Sequence, residues 1–114
     1  MTIGEFVPNS CCAYIDINKI TKYLLNLDHE KGAAKARFFI KGGFSVEKPD
    51  ELIEALKNHL KNRKIVNEIT DDNFVKYVVE FQIDNPNETN PCIVSVWITE
   101  KGEKCPRLIT AYPK

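Results

Sequence analysis

The apolar positions of this chain change period once. Up to about residue 64 they recur at helical spacing, and beyond it they alternate. Ile17, Ile20, Leu24 and Leu25, with Tyr23 alongside, predict a first helix over about residues 17–26, with Asp16 as its N-cap. Asn26 and Asp28 suit the turn that follows. Ala33 to Phe39 has high helix propensity and predicts two further turns, ended by Gly42-Gly43. The clearest helix begins at Pro49, with Asp50, Glu51 and Glu54 at the positive end of its dipole. Leu52, Ile53, Leu56 and Leu60 make its buried stripe, His59 falls to its polar side, and Lys57, Lys61, Arg63 and Lys64 crowd its C-terminal end.

The second half reads as strands. Ile65 and Val66 begin a weak one ending near Thr70, and Asp71-Asp72-Asn73 turns the chain. Val75, Tyr77, Val79, Phe81 and Ile83 alternate with Lys76, Val78, Glu80 and Gln82, the pattern of a long half-buried strand. A loop over Asp84 to Pro91 leads to a strand from Ile93 to Thr99. There Val94, Val96 and Ile98 face one way and Trp97 the other. Lys101-Gly102-Glu103 turns into a last strand from Arg107 to Tyr112. Helices first and strands last, joined by short turns, predict an α+β fold. Two or three N-terminal helices pack on one face of a C-terminal four-stranded antiparallel meander, whose other face is partly open. Residues 1–12 read as a loose arm, with a short extended piece near Cys12–Ile15, and residues 13–114 as a single domain.

Composition narrows the choice of function. The chain has 114 residues, enough for one modest core, with 43% hydrophobic and 28% charged residues. Sixteen basic and sixteen acidic residues cancel, which argues against non-specific coating of DNA but leaves local basic clusters free to bind RNA. No apolar run reaches the roughly 18 residues of a membrane span, and the first residues lack a secretory signal pattern. A cytoplasmic location is the expectation. Cys11, Cys12, Cys92 and Cys105 then read as free thiols, with a Cys92–Cys105 bridge across neighbouring strands as the alternative. Metal-binding and phosphate-loop motifs are absent, so no metal and no cofactor are predicted.

The richest stretch runs from Tyr23 to Phe39. An apolar run ends in a polar turn holding His29, followed by Gly32, small residues and the cations Lys31, Lys35 and Arg37. Small residues allow a ligand or another backbone close approach, and the cations suit a phosphate. Metal-free phosphodiester cleavage needs a base, a proton donor and cations that stabilise charge on phosphorus. His29 is the expected base, Lys31, Lys35, Arg37 and Arg107 the cations, and Thr110 and Tyr112 orient or donate. These side chains should then share one concave patch. The plainer readings are solvated charges for His29, Lys35, Arg37 and the helix end around His59, a Glu100 or Glu103 partner for Arg107, and core positions for Trp97, Tyr77 and Phe81.

Two separated motifs carry a resemblance. Tyr23-Leu24-Leu25-Asn26, Asp28-His29, Gly32, Lys35-Ala36-Arg37-Phe38-Phe39 and Gly43-Phe44 resemble the opening motif of the DUF6883 family of bacterial domains. Val96-Trp97-Ile98 with Pro106-Arg107-Leu108-Ile109-Thr110-Ala111-Tyr112-Pro113 resembles its closing motif. Leu27 and Glu30 stand where the family usually has prolines, which predicts a looser hold on His29. Similar domains form the C-terminal ends of contact-dependent or polymorphic toxins. The resemblance thus implies a fold like the barnase/EndoU/colicin/RelE nucleases, and a toxin-like ribonuclease acting on RNA, tRNA included. The alternative is a non-catalytic interaction module or toxin–antitoxin component that binds a small cognate immunity or antitoxin protein.

Overall fold

Asp16 starts the first helix as its composition predicts, its carboxylate accepting a hydrogen bond from the Asn18 backbone N–H at 2.9 Å. The computed structural model describes residues 6–61 and 65–114. Residues 1–5 of the arm and the helix-end cations Arg63 and Lys64 lie outside the described residues. Helix α1 (Ile17–Lys19) widens at once into a π-helical turn, Ile20–Leu24, closed by Leu25 N–H donating to the Ile20 carbonyl at 2.8 Å. A wide turn of this kind carries an extra residue inside a helical run. Ile20, Leu24 and Leu25 are buried, while Ile17, the first residue of the expected stripe, is half exposed.

Helix α2 (Ala33–Lys41) buries Ala36 and Phe39. It ends at Gly42 and Gly43, where Gly43 takes φ 109°, a left-handed conformation that favours glycine. Helix α3 (Pro49–Lys61) buries Leu52, Leu56 and Leu60, and with them His59. The polar, solvated position expected for His59 is therefore corrected. It follows Leu52 by seven residues and Leu56 by three, which places it on the apolar face, and it is only 3% exposed. Its Nε2 donates to the Phe81 carbonyl at 3.0 Å and its Nδ1 faces Ser95 Oγ at 3.0 Å, while Trp97 Nε1–H donates to the same Ser95 Oγ at 2.9 Å.

Strands β1 (Ile65–Thr70), β2 (Phe74–Gln82), β3 (Cys92–Glu100) and β4 (Arg107–Pro113) form one antiparallel sheet in the order β1-β2-β3-β4. The helices-then-meander α+β arrangement read from the sequence is the one observed. Cross-strand partners share a face of a sheet. Tyr77, Trp97 and Leu108 lie in register on the core face, as do Val79, Ser95 and Ala111. The opposite face carries the rows Lys76–Ile98–Arg107, Val78–Val96–Thr110 and Glu80–Val94–Tyr112. The register slips between Val96 and Trp97, so that Ile109 is an extra residue on β4, a β-bulge.

The N-terminal arm and the cysteines differ from expectation. Val7 is buried in the core, Ser10–Cys12 forms a 3-10 turn, and Tyr14 pairs in parallel with Arg107 on the outer edge of β4. From Val7 onward the arm is fastened. This brings Cys12 within 5.3 Å, Cα to Cα, of Cys105, and the two form a disulfide. Four free thiols and a Cys92–Cys105 bridge are both corrected: Cys92 is exposed and free, as is Cys11. Among the described residues, no helix is long and apolar enough to cross a membrane.

Candidate functional site

The π-helical turn, α2 and the bulged β4 converge on one hydroxyl, that of Tyr23. Lys35 Nζ donates to the Tyr23 hydroxyl and also to Thr110 Oγ1, the latter at 3.2 Å. The Tyr23 and Thr110 hydroxyls are themselves 3.3 Å apart, within hydrogen-bond reach. These three residues come from positions 23, 35 and 110, and the fold alone brings them together. The Lys35 ammonium also lies 4.9 Å from the centre of the Tyr23 ring and 5.9 Å from that of Tyr112. Lys19 Nζ stands 5.4 Å from the Tyr23 ring centre.

Each element has a local reason to present its side chain here. Gly32 lets the start of α2 approach the preceding helix, since a Cβ at that position would fall 2.8 Å from both the ring and the carbonyl of Tyr23. The close approach expected of the small residues is made by the Tyr23 ring. On β4 the extra residue Ile109 leaves Leu108 and Ala111 buried, while Thr110 Oγ1 meets Tyr23 and Lys35. Tyr23, Thr110, Ile109, His29, Lys19, Lys22, Asp16 and Asn18 line a cavity of about 660 Å³. Among the described residues, no carboxylate forms an ion pair with Lys35.

His29 is firmly held despite the missing prolines. Its Nδ1 accepts from the backbone N–H groups of Lys31 (3.0 Å) and Gly32 (2.9 Å), and its ring packs edge-on to Tyr23 at 4.9 Å between centres. Two donors on Nδ1 leave the proton of the neutral ring on Nε2. The base role expected for His29 needs a free lone pair, and neither nitrogen offers one in this arrangement. His29 satisfies N–H groups ahead of α2 and can present an Nε2–H to an anion.

Burial pushes the Tyr23 phenol up. Hydrogen bonds from Lys35 and Thr110 and the positive charges of Lys35 and Lys19 outweigh it, and the net shift is downward from the ordinary value of 10.0.

The remaining expected residues are distributed unevenly. Tyr112 is exposed beside Lys35. Lys31 contributes its backbone N–H to His29, while its side chain is exposed. Arg37 is two residues beyond Lys35, about 200° around the helix, and is exposed. Arg107 bonds Glu100 at 3.0 Å and lines a different depression with Tyr14, Glu103, Lys104 and Cys105. The reading that pairs it with Glu100 describes its position. Among the described residues, no three His, Cys, Asp or Glu side chains are grouped so as to hold a metal ion.

No curated protein matches the sequence. Among solved structures, the fold is similar to a chain of a contact-dependent growth inhibition toxin–immunity protein complex from Klebsiella pneumoniae 342. The TM-score is 0.68 at 18% identity, covering 88% of this chain and 98% of that one. The model of DUF6883, a domain of unknown function, matches residues 7–114, and the chain belongs to that family.

Proposed function

We propose that this chain is a toxin-like domain that binds RNA and cleaves it by metal-independent acid–base chemistry. The observation that carries the reading is Lys35, a cation without an ion-pair partner among the described residues, fixed by the Tyr23 and Thr110 hydroxyls beside an open cavity. A pre-placed ammonium of this kind stabilises charge that develops on a phosphoryl oxygen. Lys19, Lys22 and His29 Nε2–H would hold flanking phosphates, and the exposed Tyr112 ring would stack on a base. Lys31 and Arg37 would add only long-range attraction, and Arg107 is not part of the centre. A cellular RNA target would put its action in the cytoplasm, where the Cys12–Cys105 disulfide would meet reducing conditions. The fold's likeness to a chain of a toxin–immunity complex supports the toxin-like reading.

The test is incubation of the purified protein with tRNA and total RNA, with and without a chelator. Cleavage that survives chelation and falls roughly 10²–10³-fold in Lys35→Ala is expected. Intact RNA at all protein concentrations would remove the enzymatic reading.

One observation favours a second reading, a module that binds a small cognate protein. The sheet face opposite the core presents the half-buried Val78 and Val96 between the charged residues Lys76 and Glu80, with Val94 and Ile98 buried beside them, and continues into Thr110 and Tyr112. A partner seated there would cover the site. Intact RNA together with a stoichiometric complex on co-expression with a cognate protein would establish that reading.

A further inference from the structure

We infer that Tyr23, not His29, takes the proton of the RNA 2′-hydroxyl, and that Lys35 both supports the Tyr23 oxygen and protonates the leaving 5′-oxygen. The inference rests on the RNA-cleaving reading above and assigns the proton path within the same site.

A base needs an accessible lone pair next to the phosphate-binding cation. His29 Nδ1 is committed to two backbone N–H groups, so its outward nitrogen is a donor. His59 is buried on α3 against Ser95 and Phe81, remote in the fold from the cavity lining. Asp16 spends Oδ1 on the Asn18 N–H as a helix cap and, among the described residues, makes no ion pair with Lys35, so its Oδ2 is not beside the phosphate-binding cation. Tyr23 lines the cavity and touches Lys35 directly.

Burial opposes the Tyr23 oxyanion, and the cations and hydroxyl around it outweigh burial. Lys35 faces it from α2, Lys19 from its own helix, and β4 offers the neutral Thr110 hydroxyl. His29 meets the ring edge-on, and Lys22 and Asp16 line the same cavity. The downward shift of its phenol is the electrostatic consequence.

The step balances within the site. The Tyr23 oxyanion takes the 2′-hydroxyl proton as the 2′-oxygen forms a bond to phosphorus. The bond from phosphorus to the 5′-oxygen breaks, and that oxygen leaves with the electron pair and takes a proton from the Lys35 ammonium. The Tyr23 hydroxyl then returns a proton to the Lys35 amine across their shared hydrogen bond. A 2′,3′-cyclic phosphate and a 5′-hydroxyl result, and no water, metal or other co-reactant is consumed.

The experiment compares wild type, Tyr23→Phe, His29→Asn and Asp16→Asn on tRNA across a pH series, with analysis of the RNA ends. The ultraviolet absorbance of phenolate is titrated alongside in wild type, Tyr23→Phe and Lys35→Met. Tyr23→Phe keeps the ring against His29 and Gly32 and removes only the hydroxyl.

Expected are cyclic-phosphate ends, a wild-type rate that rises with pH, and a loss of roughly 10²–10⁴-fold with a flattened profile in Tyr23→Phe. His29→Asn and Asp16→Asn should keep the rising limb. One tyrosine should ionise early in wild type and be missing from Tyr23→Phe. In Lys35→Met it should ionise later. If wild type cleaves RNA and Tyr23→Phe matches it in rate and profile, or if Asp16→Asn alone abolishes the rising limb, the assignment to Tyr23 is overturned and the ribonuclease reading stands. If wild type leaves RNA intact, the reading itself fails and the proton path with it.

Discussion

His29 shows how a residue can be in the right place for the wrong reason. A histidine in a polar turn beside cations suggests a base, and only the two N–H groups on Nδ1 reveal a positioning role. Tyr23 is the converse. Inside Tyr23-Leu24-Leu25 it reads as part of an apolar stripe, although its four-residue spacing from Lys19 was a visible sign of a cationic neighbour. Gly32 ties the two together. Its φ is −100°, so the backbone there is ordinary and the demand for glycine is purely steric. Gly32→Ala should therefore lower stability by about 1–3 kcal/mol through overpacking against Tyr23, read as a drop in the urea midpoint. An unchanged midpoint would show that the turn gives way freely.

The tyrosines also set the alkaline behaviour. Tyr23 titrates below its ordinary value, so its stabilisation is complete above pH 10 and is lost as pH falls through the folded value. Tyr77 is raised by burial and by Glu68, so its stabilisation is complete below pH 10 and is lost as pH rises through the folded value. Tyr77→Phe should accordingly extend the folded range upward in pH, and Tyr23→Phe should not. Denaturation midpoints measured on either side of pH 10 separate the two.

At the scale of elements, what was legible followed from periodicity. The three-turn stripe of α3 and the alternation of β2 and β3 fix those elements wherever they pack, because each must bury one face. Two irregularities escaped. The π-helical turn and the bulge at Ile109 are single extra residues that no spacing rule announces, and they are what aim Tyr23 and Thr110 at each other. His59 was legible in principle, since positions 52, 56, 59 and 60 share a helical face, but its polarity argued for solvent. Its burial is tolerated because Ser95 on β3 stands between it and Trp97, tying α3 to the sheet. Ser95→Ala removes the acceptor of the Trp97 N–H and the hydroxyl facing His59 Nδ1. It should cost about 1–3 kcal/mol for each orphaned group, visible in thermal melts. Ser95→Thr, which retains the hydroxyl, should lose less of the hydrogen-bond contribution.

At the scale of the whole molecule, the largest departure from the sequence reading is the Cys12–Cys105 link, and it arises from topology. The two cysteines are 93 residues apart, and no local pattern pairs them. They meet because Tyr14 lies parallel along the edge of β4, its N–H donating to the Pro106 carbonyl at 2.8 Å and its carbonyl accepting from Leu108 N–H at 3.0 Å. That pairing also covers part of an edge strand that would otherwise expose unpaired backbone. Closing so long a loop restricts the unfolded chain, and on the chain-entropy account it is worth about 4–5 kcal/mol. Reductant, or the paired change Cys12→Ser with Cys105→Ser, should lower the denaturant midpoint accordingly. Amide exchange at Tyr14 and Leu108 should accelerate first, while β2 and β3 stay protected. An identical midpoint with and without reductant would mean that the arm is held by Val7 and the Tyr14 pairing alone, and that the thiols stay reduced in solution. Thr110 lies three residues beyond Arg107 on the same strand. A reduced protein whose exchange at residue 110 also rises would show that the arm helps to hold the floor of the site.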